Sequence, residues 1–228
     1  MTITDDVAEL RAEDQFAAKL RGMGPVGIVT TVVILLAGNP LLSAILVLVW
    51  TKISRTPWKE IGYVRPNSWI GSAALGVALG VAFKLLMKAV VMPLLGADPI
   101  NHAYHYLAGN RAALPGILFA VIFGAGFGEE TVFRGFLFAQ FRKLLGSSVA
   151  ATAVIVLVTS AWFGLAHYSG QGWDGVKQAA VCGLVFGTII AKTGRIWMLM
   201  VAHAAFDVTA TAIIYWDLES NIAHLLFN

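Results

Sequence analysis

The chain has 228 residues, of which 58% are hydrophobic and 13% charged, about half the charged share of an ordinary soluble domain. A mean hydropathy of +0.76 means more apolar surface than one water-soluble core of this length buries, which excludes a disordered chain or a soluble enzyme and points into a lipid bilayer. The net charge of +3 sits in short loops and reads as membrane orientation, with no nucleic-acid partner; the lone Cys182 excludes an intramolecular disulfide and a cysteine-based zinc cluster.

Residues 1–22 set Val7, Leu10, Phe16 and Leu20 as a helical stripe among alternating acids and bases, which predicts a short amphipathic surface helix. The acidic start and the long apolar run from Val26 do not fit a cleavable signal peptide, so this segment is expected to be retained. Residues 23–228 read as an all-α, polytopic transmembrane helix bundle. About six segments, six to eight if half-spanning helices are counted, are expected at 25–50, 68–92, 113–140, 149–168, 175–192 and 196–215, each near the ~20 residues that cross ~30 Å of hydrocarbon.

Gly38, Asn39 and Pro40 either kink the first segment or split it in two. Lys52, Arg55, Lys59 and Arg65, then Arg142 and Lys143, then Lys192 and Arg195 follow alternate segments, so these loops are expected to be cytoplasmic and both termini outside. The compact chain suits a prokaryotic cell membrane. Trp58, Trp69, Trp173, Trp197 and Trp216 fall at expected interfaces. Gly76 with Gly80, Gly124 with Gly128 and Gly183 with Gly187 have the spacing that lets helices approach closely in lipid.

The informative residues are ionisable groups inside apolar segments: Glu129, Glu130, Arg134, His167, His203 and Asp207. Each charged type costs on the order of 2.5–3.5 kcal/mol at mid-bilayer, so such groups face a bundle interior or a wet cavity. Glu130 and Arg134, one turn apart with the acid first, predict a structural ion pair. Glu129 is rotated about 100° from its neighbour, can face another environment, and suits a general base. His203 and Asp207 share a face, and Phe163 lies one turn before His167. Lys84 and Lys88 lie near a segment end, where their stems are expected to snorkel to water. His102, His105 and His224 read as solvated.

In order, Glu129-Glu130-Thr131-Val132-Phe133-Arg134, Phe163-Gly164-Leu165-Ala166-His167 and His203-Ala204-Ala205-Phe206-Asp207 resemble the EExxxR, FxxxH and HxxxN/D motifs of the CPBP family. This is the family of type II CAAX prenyl endopeptidases and bacteriocin-processing or immunity (Abi) proteins. The resemblance covers about residues 113–215, with a weaker likeness at Ile61-Gly62-Tyr63-Val64-Arg65-Pro66. It implies an intramembrane endopeptidase acting on a membrane-associated or lipidated peptide or protein. Glu129 would be the general base, His167 would position the water, and His203 with Asp207 would bind the oxyanion. Prenyl-processing members carry Asn where this chain has Asp207, and an ionised Asp cannot donate a hydrogen bond. Asp207 is therefore expected to be protonated, to orient His203 or to hold a metal.

Glu129, His167, His203 and Asp207 are acceptable ligands for a divalent metal such as zinc, though without a contiguous HExxH pattern. Two other classes are consistent with buried charges: a catalytically silent immunity or scaffold protein of the same fold, and a proton-coupled carrier. One geometric difficulty stands out. With straight helices His167 lies near the outer end of its segment and His203 only about 10 Å above the inner end of its own. An interruption of the third segment at Gly124, Gly126 and Gly128 is expected to bring the groups together; more than about 12 Å between Glu129 and His167 would exceed general-base reach.

Overall fold

The computed structural model describes residues 13–226, so Val7 and Leu10 of the expected amino-terminal stripe lie outside the described residues. In chain order the helices are α1 (Glu13–Arg21), α2 (Pro25–Leu35), α3 (Pro40–Ile53), α4 (Trp69–Leu94), α5 (Arg111–Leu145), α6 (Val149–Ala166), α7 (Tyr168–Thr193), α8 (Trp197–Tyr215) and the single-turn α9 (Glu219–Ala223). Five of them, α4 to α8, are long and apolar enough to cross a membrane, and the protein is a multi-pass membrane helix bundle. Apolar side chains such as Val29, Leu36, Ile70 and Leu157 remain exposed on its outside, as a lipid-facing surface requires.

The starts and stops are encoded locally. Asn39, Ser68 and Ser148 accept hydrogen bonds from Leu42, Gly71 and Ala151 at the first turns of α3, α4 and α6. Pro25 and Pro40 occupy first helical positions, where a missing N–H costs nothing. Gly194 closes α7 with φ +61°, a conformation that L side chains resist.

The expected first span, 25–50, is not one helix. At ~1.5 Å per residue α2 and α3 extend only about 16 and 21 Å, short of ~30 Å of hydrocarbon, and the chain reverses between them at Gly38 (φ +74°). Trp50 donates to the Leu20 carbonyl at 3.1 Å, and Gln140 of α5 donates to Thr31 at 3.0 Å. The tip reaches Gly128 of α5, where an added Cβ would lie 2.9 Å from the Pro40 carbonyl. These contacts define a re-entrant hairpin lying along α5.

The hairpin corrects the expected topology. Lys143 donates to the Arg21 carbonyl at 3.1 Å, and Arg55 pairs with Glu13, at 3.2 Å, and with Asp14. Residues 13–22 therefore lie beside Arg55 and Lys143 of the basic loops, whereas the sequence had placed the amino-terminal segment opposite them. In α1, Ala17 and Leu20 are buried while Phe16, expected on the apolar stripe, is exposed.

Small residues set the helix packing. A Cβ on Gly76 would lie 2.8 Å from the Met198 carbonyl, and one on Gly80 would run into the Ala202 carbonyl, so α4 lies directly on α8. A Cβ on Gly183 would lie 2.8 Å from Ser160, so α7 and α6 also approach closely there. On α5 the close approach is at Gly126, where an added Cβ would lie 2.8 Å from the Ala204 Cβ, while one on the expected Gly124 would meet nothing.

The predicted interruption of α5 is absent. The helix runs on through 120–137 in a wide π winding, a form that is rare and often marks functional sites. A break would strand backbone N–H and C=O groups in an apolar setting, whereas a widened winding keeps them paired. Four glycines, Gly124, Gly126, Gly128 and Gly135, weaken the ordinary α winding there.

Candidate active site

Glu130 is fully buried on α5. Its Oε1 lies 3.0 Å from Arg134 Nη1 and 2.7 Å from His203 Nδ1 on α8. The guanidinium carbon sits 4.1 Å from the centre of the Phe163 ring, within cation–π range. A carboxylate only accepts, so His203 Nδ1 carries a proton and donates it, which fixes the ring's orientation. Its Nε2 then faces Glu129 Oε2 at 3.8 Å and Asp207 Oδ2 at 3.6 Å, beyond direct hydrogen bonds.

The spacing rule had joined Glu130 to Arg134 alone and His203 to Asp207. The structure hangs His203 on Glu130, a link across 73 positions that helical periodicity cannot express. The neighbouring Glu129 makes no hydrogen bond among the described residues, and its Oε2 is buried without a partner. Two carboxylates adjacent in sequence thus occupy different settings, one gripped by two basic groups and one open.

His167 ends α6. Its Nδ1 is 2.7 Å from the Phe163 carbonyl; a carbonyl only accepts, so Nδ1 donates and Nε2 is left to bind water or substrate. The His167 and His203 rings both pack edge-on against Phe163, with centroids 4.7 and 6.0 Å away. This shared contact resolves the depth mismatch expected of straight helices.

Glu129, His167, His203 and Asp207 all line one cavity of about 420 Å³. Its other walls are Asn39 and Pro40 of the hairpin tip, Ile117 and Val121 of α5, Tyr104 from the loop before α5, and Cys182 of α7. A cavity of this size lined by polar groups has room and partners for water. Burial and the carboxylates of Asp207 and Glu129 push the Tyr104 phenol above its ordinary range, so it stays a hydroxyl donor at neutral pH.

Lys84 also belongs to this wall, contrary to the expected snorkelling. It is buried, donates to Gln178 at 2.8 Å and lies 4.8 Å from the Phe206 ring centre. The signal was present: Gly76, Gly80 and Lys84 recur every four residues, so the lysine shares the stripe that packs on α8. Lys88 is likewise turned inward, 3.2 Å from Glu219.

Among the described residues no three His, Cys, Asp or Glu side chains are placed together as a metal-holding group. The Nδ1 atoms of His203 and His167 are taken up by Glu130 and a backbone carbonyl, an arrangement that leaves each Nε2 free as a ligand atom.

The fold and this site define a class: a polytopic membrane bundle enclosing a wet carboxylate–histidine chamber. Residues 111–209 match the family model described as type II CAAX prenyl endopeptidase Rce1-like. The matched stretch is less than half of the chain and carries all three motifs that resemble the CPBP family, so this region is similar to that of CAAX-type intramembrane proteases. Neither a curated protein nor a solved structure matches the chain.

Proposed function

We propose that the protein is an endopeptidase that hydrolyses a peptide bond of a lipid-associated substrate with a water activated by Glu129 and His167. The observation that carries the reading is the open Glu129 carboxylate lining the same cavity as both histidines. A water between Glu129 and His167 Nε2 gives its proton to Glu129 while its oxygen attacks the carbonyl carbon. The developing oxyanion is met by His203 Nε2–H, fixed in direction by the hydrogen bond from Nδ1 to Glu130. Asp207, 3.6 Å from that Nε2, stands beside the ring on the cavity side. The proton held by Glu129 then passes to the leaving amine, completing addition of water across the bond.

With the basic loops cytoplasmic, residues 13–22 are cytoplasmic too and the Tyr104 side of the cavity faces outward. The test is cleavage by purified protein in nanodiscs, with substrates found by comparing membrane proteomes of cells carrying the active and Glu129→Gln forms. Glu129→Gln and His167→Ala are each expected to lower the rate by about 10²–10⁴-fold, the usual contribution of a positioned acid or base, while melting is unchanged. EDTA leaves the rate intact in this mechanism; a loss restored by zinc would replace it with a metal site. Equal cleavage by both variants would end the assignment and leave the buried charges to helix packing.

A further inference from the structure

Glu219, in the single turn α9, has 2% of its side chain exposed, and the mechanism does not use it. Burying a carboxylate is costly unless it is paired, and its partners come from two other segments. Lys88, at a wide turn within α4, places Nζ 3.2 Å from Oε1, and also donates to the Pro99 carbonyl. The Asn101 N–H donates to the same Oε1 at 2.9 Å, and His105 Nδ1 lies 3.5 Å from Oε2. Asn101, Tyr104 and Leu107 of this loop line the cavity that holds Glu129, His203 and Asp207. At the loop's far end, Gly109 N–H donates to the Tyr215 carbonyl at 3.0 Å.

We propose that Glu219 is a positioning residue, a latch that ties loop 97–107 to α4 and α9 as the roof of the catalytic cavity and so governs substrate access and binding. The inference rests on the proposed peptidase reading for its kinetic consequence, but not for its structural one. Cutting the latch leaves Lys88 without its anion and frees the roof to open locally while the spans stay packed.

Cys182, the chain's only cysteine, is buried and lines the same cavity. Its reaction rate with N-ethylmaleimide in nanodiscs therefore reports roof opening without any need for turnover. Glu219→Ala is expected to speed labelling about tenfold, and to raise KM about tenfold with kcat within about twofold, the pattern of lost binding rather than lost chemistry. Glu219→Gln, which keeps an acceptor for Asn101, is expected to fall between. The double variant Lys88→Met/Glu219→Gln, with no unpaired buried charge, is expected to label more slowly than Lys88→Met alone.

Labelling at the wild-type rate in Glu219→Ala, or in Glu219→Gln if the alanine variant does not fold, overturns the latch. So does a fall in kcat with KM unchanged. Faster labelling in a protein that cleaves nothing supports the latch and removes the peptidase reading.

Discussion

Two buried carboxylates, Glu130 and Glu219, each hold basic partners, yet they serve different ends. Glu130 sits inside a span and shares one oxygen between Arg134 and His203; its effect is to aim an imidazole at the cavity. Glu219 sits beyond the last span and fastens Lys88 and a loop; its effect is to hold a wall. In the proposed mechanism neither is the reactive group; that role goes to Glu129, which makes no hydrogen bond among the described residues, whereas Glu130 and Glu219 each have one oxygen held by basic partners.

The sharpest way to break this comparison is Arg134→Met. Removing one member of a buried pair typically costs about 3–5 kcal/mol, so this variant should melt far below wild type. Lys88→Met should cost less, since Glu219 keeps the Asn101 N–H. If the two variants melt alike, the central knot is no more structural than the peripheral one. Next in size is Gly80→Ala, which forces α4 from the Ala202 carbonyl and should cost about 1–3 kcal/mol by overpacking; unchanged melting would mean that α4 and α8 separate freely.

The smallest effect concerns the roof and pH. The Ile100 N–H, followed by His102, holds the Asp98 carboxyl below its ordinary range. A lowered folded pKa gives stability that is present above the unfolded value near 4 and lost as pH falls through the folded one. Amide exchange at Ile100, corrected for intrinsic rates, should lose its protection only below about pH 4. Loss of protection near pH 6 would instead assign the control to a histidine.

Much of the bundle was legible because lipid imposes a coarse code. Twenty-odd apolar residues with basic loops between them predict spans, and buried charges predict a site. The hairpin was only half legible: Gly38-Asn39-Pro40 marked a break, but its direction depends on where Trp50 finds the Leu20 carbonyl. The wide winding of α5 was missed because backbone pairing in apolar surroundings favours a distorted helix over a broken one. In the site, i to i+4 neighbours such as Glu130 and Arg134 followed from spacing, whereas His203 on Glu130 and Lys88 on Glu219 join distant segments and exist only after packing. Lys84 was misjudged because its position near a segment end outweighed the glycine stripe it continues.

The most direct test sets the adjacent glutamates against each other in one assay of cleavage and melting. Glu129→Gln is predicted to fold like wild type and cleave at least about 10²-fold more slowly, as loss of a general base requires, whereas Glu130→Gln is predicted to lose melting temperature first. The reverse result, wild-type cleavage in Glu129→Gln with its folding impaired, would contradict the account.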